Sequence, residues 1–123
     1  MGILFSWFQS IQKALAPDPA IHLSPRNAFQ KIKSIPPPQL LDVRSREEYQ
    51  QGRIAGSRLI PLQDLGNRLR ELDKNKPLIV YCRGGYRSGA ALRLLRAQGF
   101  HHAAHIAGGI TAWNHSGFPV ETQ

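Results

Sequence analysis

Short apolar runs alternate with longer, helix-like segments along most of the chain. The apolar runs, typical of buried strands, lie at 21–23, 39–43, 58–62, 78–81 and 103–106. Segments with helical features lie between them, at 24–34, 46–51, 62–72 and 88–98, and around Trp113. Because strands alternate with helices, the pattern predicts an α/β fold with a parallel sheet of about five strands flanked by helices on both faces.

Local signals fix several helix ends. Ser24 and Pro25 supply an N-cap and a proline at the first helical position. Ser45 and Glu48 form the capping box expected at the start of the next helix. Gly99 ends the helix predicted over 88–98. The helix predicted over 62–72 places four apolar side chains on one face: Leu62, Leu65, Leu69 and Leu72.

The first twenty residues differ from the rest. Apolar side chains repeat at helical spacing in 1–16, and Pro17-Asp18-Pro19 indicates a linker. We therefore divide the chain into an amphipathic segment with its linker (1–20), one domain (21–120) and a tail (121–123). Three roles for 1–16 remain open: a helix that binds a membrane surface or a protein partner, a helix that packs on the domain, and a segment removed by processing.

Composition narrows the functional classes. The net charge is +8, but the basic residues are spread from Lys13 to Arg96, which indicates a solvated basic surface rather than a nucleic-acid site. A single cysteine excludes an internal disulfide and a multi-cysteine zinc site. It fits a reducing compartment, and no apolar run is long enough to span a membrane. We expect a cytoplasmic protein, with membrane association through 1–16 as an alternative.

That single cysteine, Cys82, stands between the strand 78–81 and a predicted helix. Ligands bind at the carboxyl ends of the strands in parallel sheets, which is where Cys82 is expected. Glycines let a loop turn its amides inward, and a helix amino terminus adds to the anion-binding field, which favours thiolate over thiol. An inert buried thiol is the alternative. The predicted anion-binding loop comprises Arg83, Gly84, Gly85, Tyr86, Arg87 and Ser88.

Three segments resemble the rhodanese family of single-domain sulfurtransferases: LLDVRSREEYQQGRIAGSRLIPL, VYCRGGYRSGAAL and HIAGGITAWNHSGFPV. They occur in the family's order and together cover about 21–120. The resemblance implies that Cys82 accepts a sulfane sulfur as a persulfide, which the loop amides would cradle. Asp42 and Arg44 match the family's Asp-Val-Arg and would be supporting residues.

The implied reaction moves sulfur from a small anionic donor, such as thiosulfate, to a thiol or a sulfur-carrier protein. It needs no cofactor and no metal. His101, His102 and His105 are close in sequence, but a turn followed by a strand does not place them on one helical face. One departure stands out: where the family often has Gly-His-Ile-Pro-Gly-Ala, this chain has GRIAGS at 52–57, which adds a positive charge near the same edge.

Two other functions compete with sulfur transfer. Cysteine phosphatases and arsenate reductases use C-x5-R loops, whereas Arg87 follows Cys82 after four intervening residues. The shorter loop favours a persulfide or thiosulfate over a phosphate ester. The other alternative is a catalytically minor, rhodanese-like docking module, in which the cysteine would be dispensable.

Overall fold

The computed structural model describes residues 6–9, 18 and 21–122 of the 123-residue chain. Residues 6–9 are helical, and the side chains of Trp7 and Phe8 are exposed. The rest of the predicted amphipathic segment and most of its linker lie outside the described residues. Within the described part, no helix has both the length and the apolar character needed to cross a membrane.

Five parallel strands form one sheet, as the sequence predicts. The strands are β1 (His22–Leu23), β2 (Gln39–Asp42), β3 (Arg58–Leu59), β4 (Leu78–Tyr81) and β5 (Ala103–Ile106). Their order across the sheet is β1-β5-β4-β2-β3, so β4 is central and β1 is an edge strand. All four β4 residues are buried because the sheet is covered on both faces.

Within 21–122, four helices and a 3₁₀ turn lie between these strands and a fifth helix follows the last strand. They are α1 (Pro25–Ile32), α2 (Arg46–Gln51), α3 (Leu62–Leu65), α4 (Tyr86–Ala97) and α5 (Gly109–His115), with a 3₁₀ turn at Leu69–Glu71. The predicted caps are confirmed. The Ser24 hydroxyl accepts the amide of Asn27, and Ser45 and Glu48 form the complete capping box.

Successive side chains of β4 point to opposite faces of the sheet, so they belong to two separate core layers. The same alternation decides which face the Cys82 side chain points to. Leu78, Val80 and Cys82 belong to the layer that α3 and α4 cover. Ile79 and Tyr81 belong to the opposite layer, with α1 and α5. The Cys82 side chain therefore points toward α4, whose first turn is the part nearest to the end of the strand.

Three sequence predictions need correction. The helix expected over 62–72 is broken, because the Asn67 and Arg68 amides bond to the carbonyls three residues back and tighten the chain into a turn. The four leucines nevertheless pack in or against the core. The strand expected over 58–62 covers only Arg58–Leu59: the Ile60 and Leu62 amides still bond to the carbonyls of Asp42 and Val43, but Leu62 already begins α3.

The third correction bears on the site. The helix predicted over 88–98 begins at Tyr86 and ends at Ala97. Gly85, at φ 101°, takes the left-handed conformation at its N-cap, so the turn from strand to helix is shorter than expected. Tyr86, Arg87 and Ser88 are therefore residues of the first helical turn rather than members of a loop.

Candidate active site

Cys82 directly follows β4 and is almost completely buried, with 1% of its surface exposed. Its sulfur accepts a hydrogen bond from the Gly85 amide at 3.1 Å and lies 3.4 Å from the Ser88 hydroxyl oxygen. The sulfur therefore sits at the amino end of α4, close to the positive end of the helix dipole. Such a position stabilises a thiolate or a terminal persulfide anion.

The carbonyl groups of the same loop point the other way. The Ile110 amide donates to the carbonyl of Cys82 at 2.9 Å, and the Thr111 amide donates to that of Arg83 at 3.0 Å. Both donors belong to the first turn of α5, where amides lack partners within the helix. The pair Gly108-Gly109 thus lets α5 approach the loop and leaves the Gly85 amide free to face the sulfur.

This close approach predicts a strong effect of adding one carbon at Gly109. A Cβ there would collide with the carbonyls of Cys82 and Arg83. We expect Gly109→Ala to unfold at lower denaturant than the wild type and to lose sulfur loading. Gly117→Ala is the matched control, since Gly117 also has a positive φ but nothing within 4 Å of the added carbon. The difference between the variants should be about 1–3 kcal/mol; equal unfolding midpoints would contradict it.

Arg87 does not lie free in the site. Its guanidinium makes a two-pronged ion pair with Glu48 of α2, at 2.7 and 2.9 Å. The Arg87 hydrogen bonds lower the pKa of Glu48 to about 2, so the carboxylate stays charged and partly neutralises the arginine. Arg83, by contrast, is exposed, and within 21–122 no ion pair neutralises it. Of the two arginines that follow Cys82, Arg83 is thus the better placed to meet an arriving anion.

Asp42 and Arg44, the supporting residues predicted from the sequence, are buried, unlike Arg83. Asp42 and Arg44 form a buried, two-pronged ion pair with a shortest distance of 2.7 Å. Arg44 also donates to the Gly52 carbonyl, and its guanidinium lies 5.7 Å from the centre of the Tyr81 ring. The pair therefore ties the end of β2 to the strand that precedes Cys82. Within 21–122 neither Asp42 nor Arg44 hydrogen-bonds to the Cys82 sulfur, so a supporting role would act through the backbone rather than on the sulfur itself.

The remaining predicted residues occupy distinct places. Tyr86 is 94% exposed, so its ring is available at the rim but does not cover the sulfur. Gly84 lies in the bend between Cys82 and the helix. An open cleft of about 380 Å³ borders the loop. Polar residues on its walls include Arg44, Glu48, Arg83, Thr111, Asn114 and His115.

The positive charge at the unusual GRIAGS segment is not free either. The guanidinium of Arg53 is 3.2 Å from Glu121 and lies over the Tyr49 ring, 4.6 Å from its centre. Backbone bonds between Arg53 and Glu121 reinforce the contact. The arginine therefore holds the carboxyl-terminal residues against the domain.

The sequence predicts no metal site at His101, His102 and His105, and it does not reveal the contact made by His22. Residues His101 and His102 lie before β5, whereas His105 is buried within it and contacts Ser88. His22, not singled out from the sequence, contacts His105 across the sheet. Among the described residues, no group of His, Cys, Asp and Glu is arranged to hold a metal ion. The signal available in the sequence was His105, the polar residue within the apolar run 103–106, since a buried histidine needs a hydrogen-bond partner.

Comparison with known proteins gives consistent matches. The family model for the rhodanese-like domain matches residues 25–116. A protein of Thermoplasma volcanium, described as rhodanese-related, has a crystal structure that superposes with a TM-score of 0.77 at 31% identity. The superposition covers 84% of this chain and 99% of that one.

Two curated relatives have names that refer to sulfur. A sulfurtransferase of Allochromatium vinosum is 35% identical over 81 residues, which cover 66% of this chain and 76% of that protein. The putative sulfur carrier protein YrkF of Bacillus subtilis is 36% identical over 84 residues, 68% of this chain. The match spans only 45% of YrkF, so that relative is about twice as long as the shared region.

Proposed function

Because the chain belongs to the rhodanese-like domain family, we propose that it is a sulfurtransferase that carries a sulfane sulfur as a persulfide on Cys82. The single observation that carries this proposal is the position of the sulfur. It is buried at the amino end of α4 and accepts the Gly85 amide. The field that favours the thiolate also favours the terminal anion of a persulfide.

In the loading step, the Cys82 thiolate attacks the outer sulfur of thiosulfate. A new S–S bond forms to Cys82, the S–S bond of thiosulfate breaks, and sulfite leaves with the electron pair. Arg83, exposed at the mouth, attracts the dianionic donor, and the Gly85 amide stabilises negative charge on the persulfide. The step needs no separate oxidant or reductant, because the outer sulfur moves from thiosulfate to Cys82 as a neutral atom.

In the discharge step, a thiolate or cyanide attacks the outer persulfide sulfur and takes it. The S–S bond to Cys82 breaks, and the thiolate is regenerated with the bonding electrons. The two half-reactions share one site, so the kinetics should be ping-pong. Cys82 does not line the cleft beside Arg83, so the cleft offers a surface next to the loop for a sulfur-carrier protein rather than the space for the attacking group. Neither step requires a metal or an organic cofactor.

The structure also bears on the rival functions. A phosphatase uses an arginine of this kind to hold the phosphoryl group. Here both terminal nitrogens of Arg87 are already hydrogen-bonded to the Glu48 carboxylate. A docking module would not need the sulfur to face an amide and a hydroxyl, as it does here. The exposed Trp7 and Phe8 suit a role of the amino-terminal segment in partner or membrane binding, which would add to catalysis rather than replace it.

A direct comparison of two activities tests the proposal. We expect purified protein to convert thiosulfate and cyanide to thiocyanate and sulfite. We expect hydrolysis of an aryl phosphate to be much slower, because Arg87 is already paired and the loop is short. Aryl phosphate hydrolysis faster than thiocyanate formation would sink the sulfurtransferase proposal in favour of phosphatase chemistry. The absence of both activities would favour a docking module.

A further inference from the structure

A continuous line of polar atoms leads from the reacting sulfur to the edge of the sheet. The Sγ of Cys82 is 3.4 Å from the Oγ of Ser88, which is 2.9 Å from the Nδ1 of His105. The Nε2 of His105 is in turn 2.6 Å from the Nδ1 of His22. Each step is within hydrogen-bond distance, so the four side chains form one unbroken chain.

The fold places these residues in line for identifiable reasons. His22 and His105 are register partners on the adjacent strands β1 and β5, so their side chains project from the same face. Ser88 lies in the first turn of α4, above that face. Ser88 and His105 are buried, with 0% and 5% of their surfaces exposed. His22 is only partly buried, and it belongs to an edge strand where solvent can reach it.

Building on the persulfide mechanism above, we propose that Ser88, His105 and His22 form a proton relay that removes the proton of the Cys82 thiol before it attacks the donor. Ser88 touches the reacting sulfur, whereas the two histidines act through Ser88. The relay gives the proton of the buried thiol a route to solvent that does not pass Arg83, where the donor arrives.

The transfer balances with one proton and no oxidant. In the resting state the thiol donates to Ser88, the Ser88 hydroxyl donates to His105 Nδ1, and His105 Nε2–H donates to His22. The thiol proton moves to the Ser88 oxygen as the hydroxyl proton moves to His105. The Nε2 proton of His105 then moves to His22, which releases a proton from its Nε2 to water. The reverse sequence protonates the thiolate after the sulfur has been discharged.

The end state of this transfer is itself favourable for catalysis. Each hydrogen bond of the chain reverses, so the Ser88 hydroxyl now donates to the sulfur. The resulting thiolate accepts two hydrogen bonds, one from Ser88 and one from the Gly85 amide. Charge-assisted hydrogen bonds of this kind are stronger than neutral ones. After loading, the same two donors face the Cys82 sulfur of the persulfide.

His105 is suited to conduct a proton rather than to keep it. Burial, and secondly the neighbouring His22, lower the pKa of His105. The imidazole therefore stays neutral near pH 7 and can accept at one nitrogen while it donates at the other. The proton leaves from His22, the more exposed member of the pair.

Other charged groups surround the two ends of the relay. Near the sulfur, Arg83 belongs to the loop and Arg87 to α4, and Glu48 of α2 neutralises part of the Arg87 charge. The buried pair of Asp42 and Arg44 lies at the end of the neighbouring strand β2. These groups are unchanged in the variants proposed below, so they provide a constant background for a comparison of pH profiles.

At the His105 end, β1 contributes His22, and α4 contributes Ser88 and the guanidinium of Arg93. The Arg93 guanidinium and the His105 ring both border Gly89. Each lies within about 4 Å of the position that a Cβ on Gly89 would occupy.

The test uses the full chain with His22→Ala, His105→Asn and the matched control His102→Ala. His102 is exposed, near in sequence to His105 and outside the relay. For each variant we would measure the rate of persulfide formation with thiosulfate and the rate of Cys82 alkylation by iodoacetamide, from about pH 6 to about pH 10. Unfolding midpoints would be measured alongside, and His22→Ala would be assayed with and without added imidazole.

We expect both relay variants to react on the order of a hundredfold more slowly than the wild type near pH 7. The difference should vanish toward pH 10, where hydroxide removes the thiol proton directly. Imidazole should restore His22→Ala, and His102→Ala should behave as the wild type. Wild-type rates and pH profiles in both relay variants would overturn the relay, as would a slow His22→Ala that imidazole does not restore.

The two proposals fail separately. If the wild type does not load sulfur from thiosulfate, the proposed function is at fault. The alkylation rates still decide the relay in that case, because iodoacetamide requires only the Cys82 thiolate.

Discussion

Replacing Cys82 with serine is expected to abolish sulfur transfer completely. Incubation with thiosulfate alone should add one sulfur atom to each wild-type chain, and cyanide should remove it. The Cys82→Ser chain should gain nothing, because a serine hydroxyl at this site cannot attack the donor sulfur at neutral pH. Intact mass spectrometry before and after each addition measures both results.

The same experiment tests whether the sulfur is protected. Cys82 is the only cysteine, so its persulfide has no second thiol in the chain with which to form a disulfide. Burial to 1% exposure should also slow attack by the Cys82 of another chain. Two added sulfur atoms per chain, or a disulfide-linked dimer before any acceptor is present, would contradict the assignment of a single protected site.

The second large effect is on stability. Asp42→Ala should lower the free energy of unfolding by about 3–5 kcal/mol, because it leaves the Arg44 charge buried without its partner. Urea denaturation measures this difference. The matched control is Glu71→Ala, which breaks the ion pair with Arg68 at the surface. Surface pairs contribute little, so its midpoint should stay close to that of the wild type.

A double replacement separates the charge from the packing. Asp42→Leu with Arg44→Met removes both charges and keeps apolar volume, so it should recover much of the stability lost in Asp42→Ala. If the double variant is as unstable as the single one, the hydrogen bond from Arg44 to the Gly52 carbonyl matters more than the charge of Asp42.

Much of the fold could be predicted because its signals are local. The strands β4 and β5 have the predicted bounds, since each is a short apolar run between polar turns. The two N-caps depend on neighbouring residues only, and both are confirmed. The family resemblance stated from three sequence segments is also confirmed by the match over residues 25–116.

The details that were missed depend on distant contacts. Glu48 could be assigned as a capping residue, but its ion pair with Arg87, 39 residues away, requires the fold. The contact between His22 and His105 spans 83 residues and exists because β1 and β5 are neighbours in the sheet. The break after Leu65 was missed because all four leucines reach the core even though the helix does not continue.

The central position of β4 has a consequence for how activity is lost. Amides in buried central strands exchange with solvent only when the whole domain opens, whereas loops and edges open locally. Cys82 is attached directly to such a strand, and its carbonyl is held by α5. The reacting sulfur therefore belongs to the last cooperative unit to open. Fraying at the edge strand β1 can disturb His22 long before it displaces the cysteine, so a partly opened molecule keeps its sulfur-binding pocket.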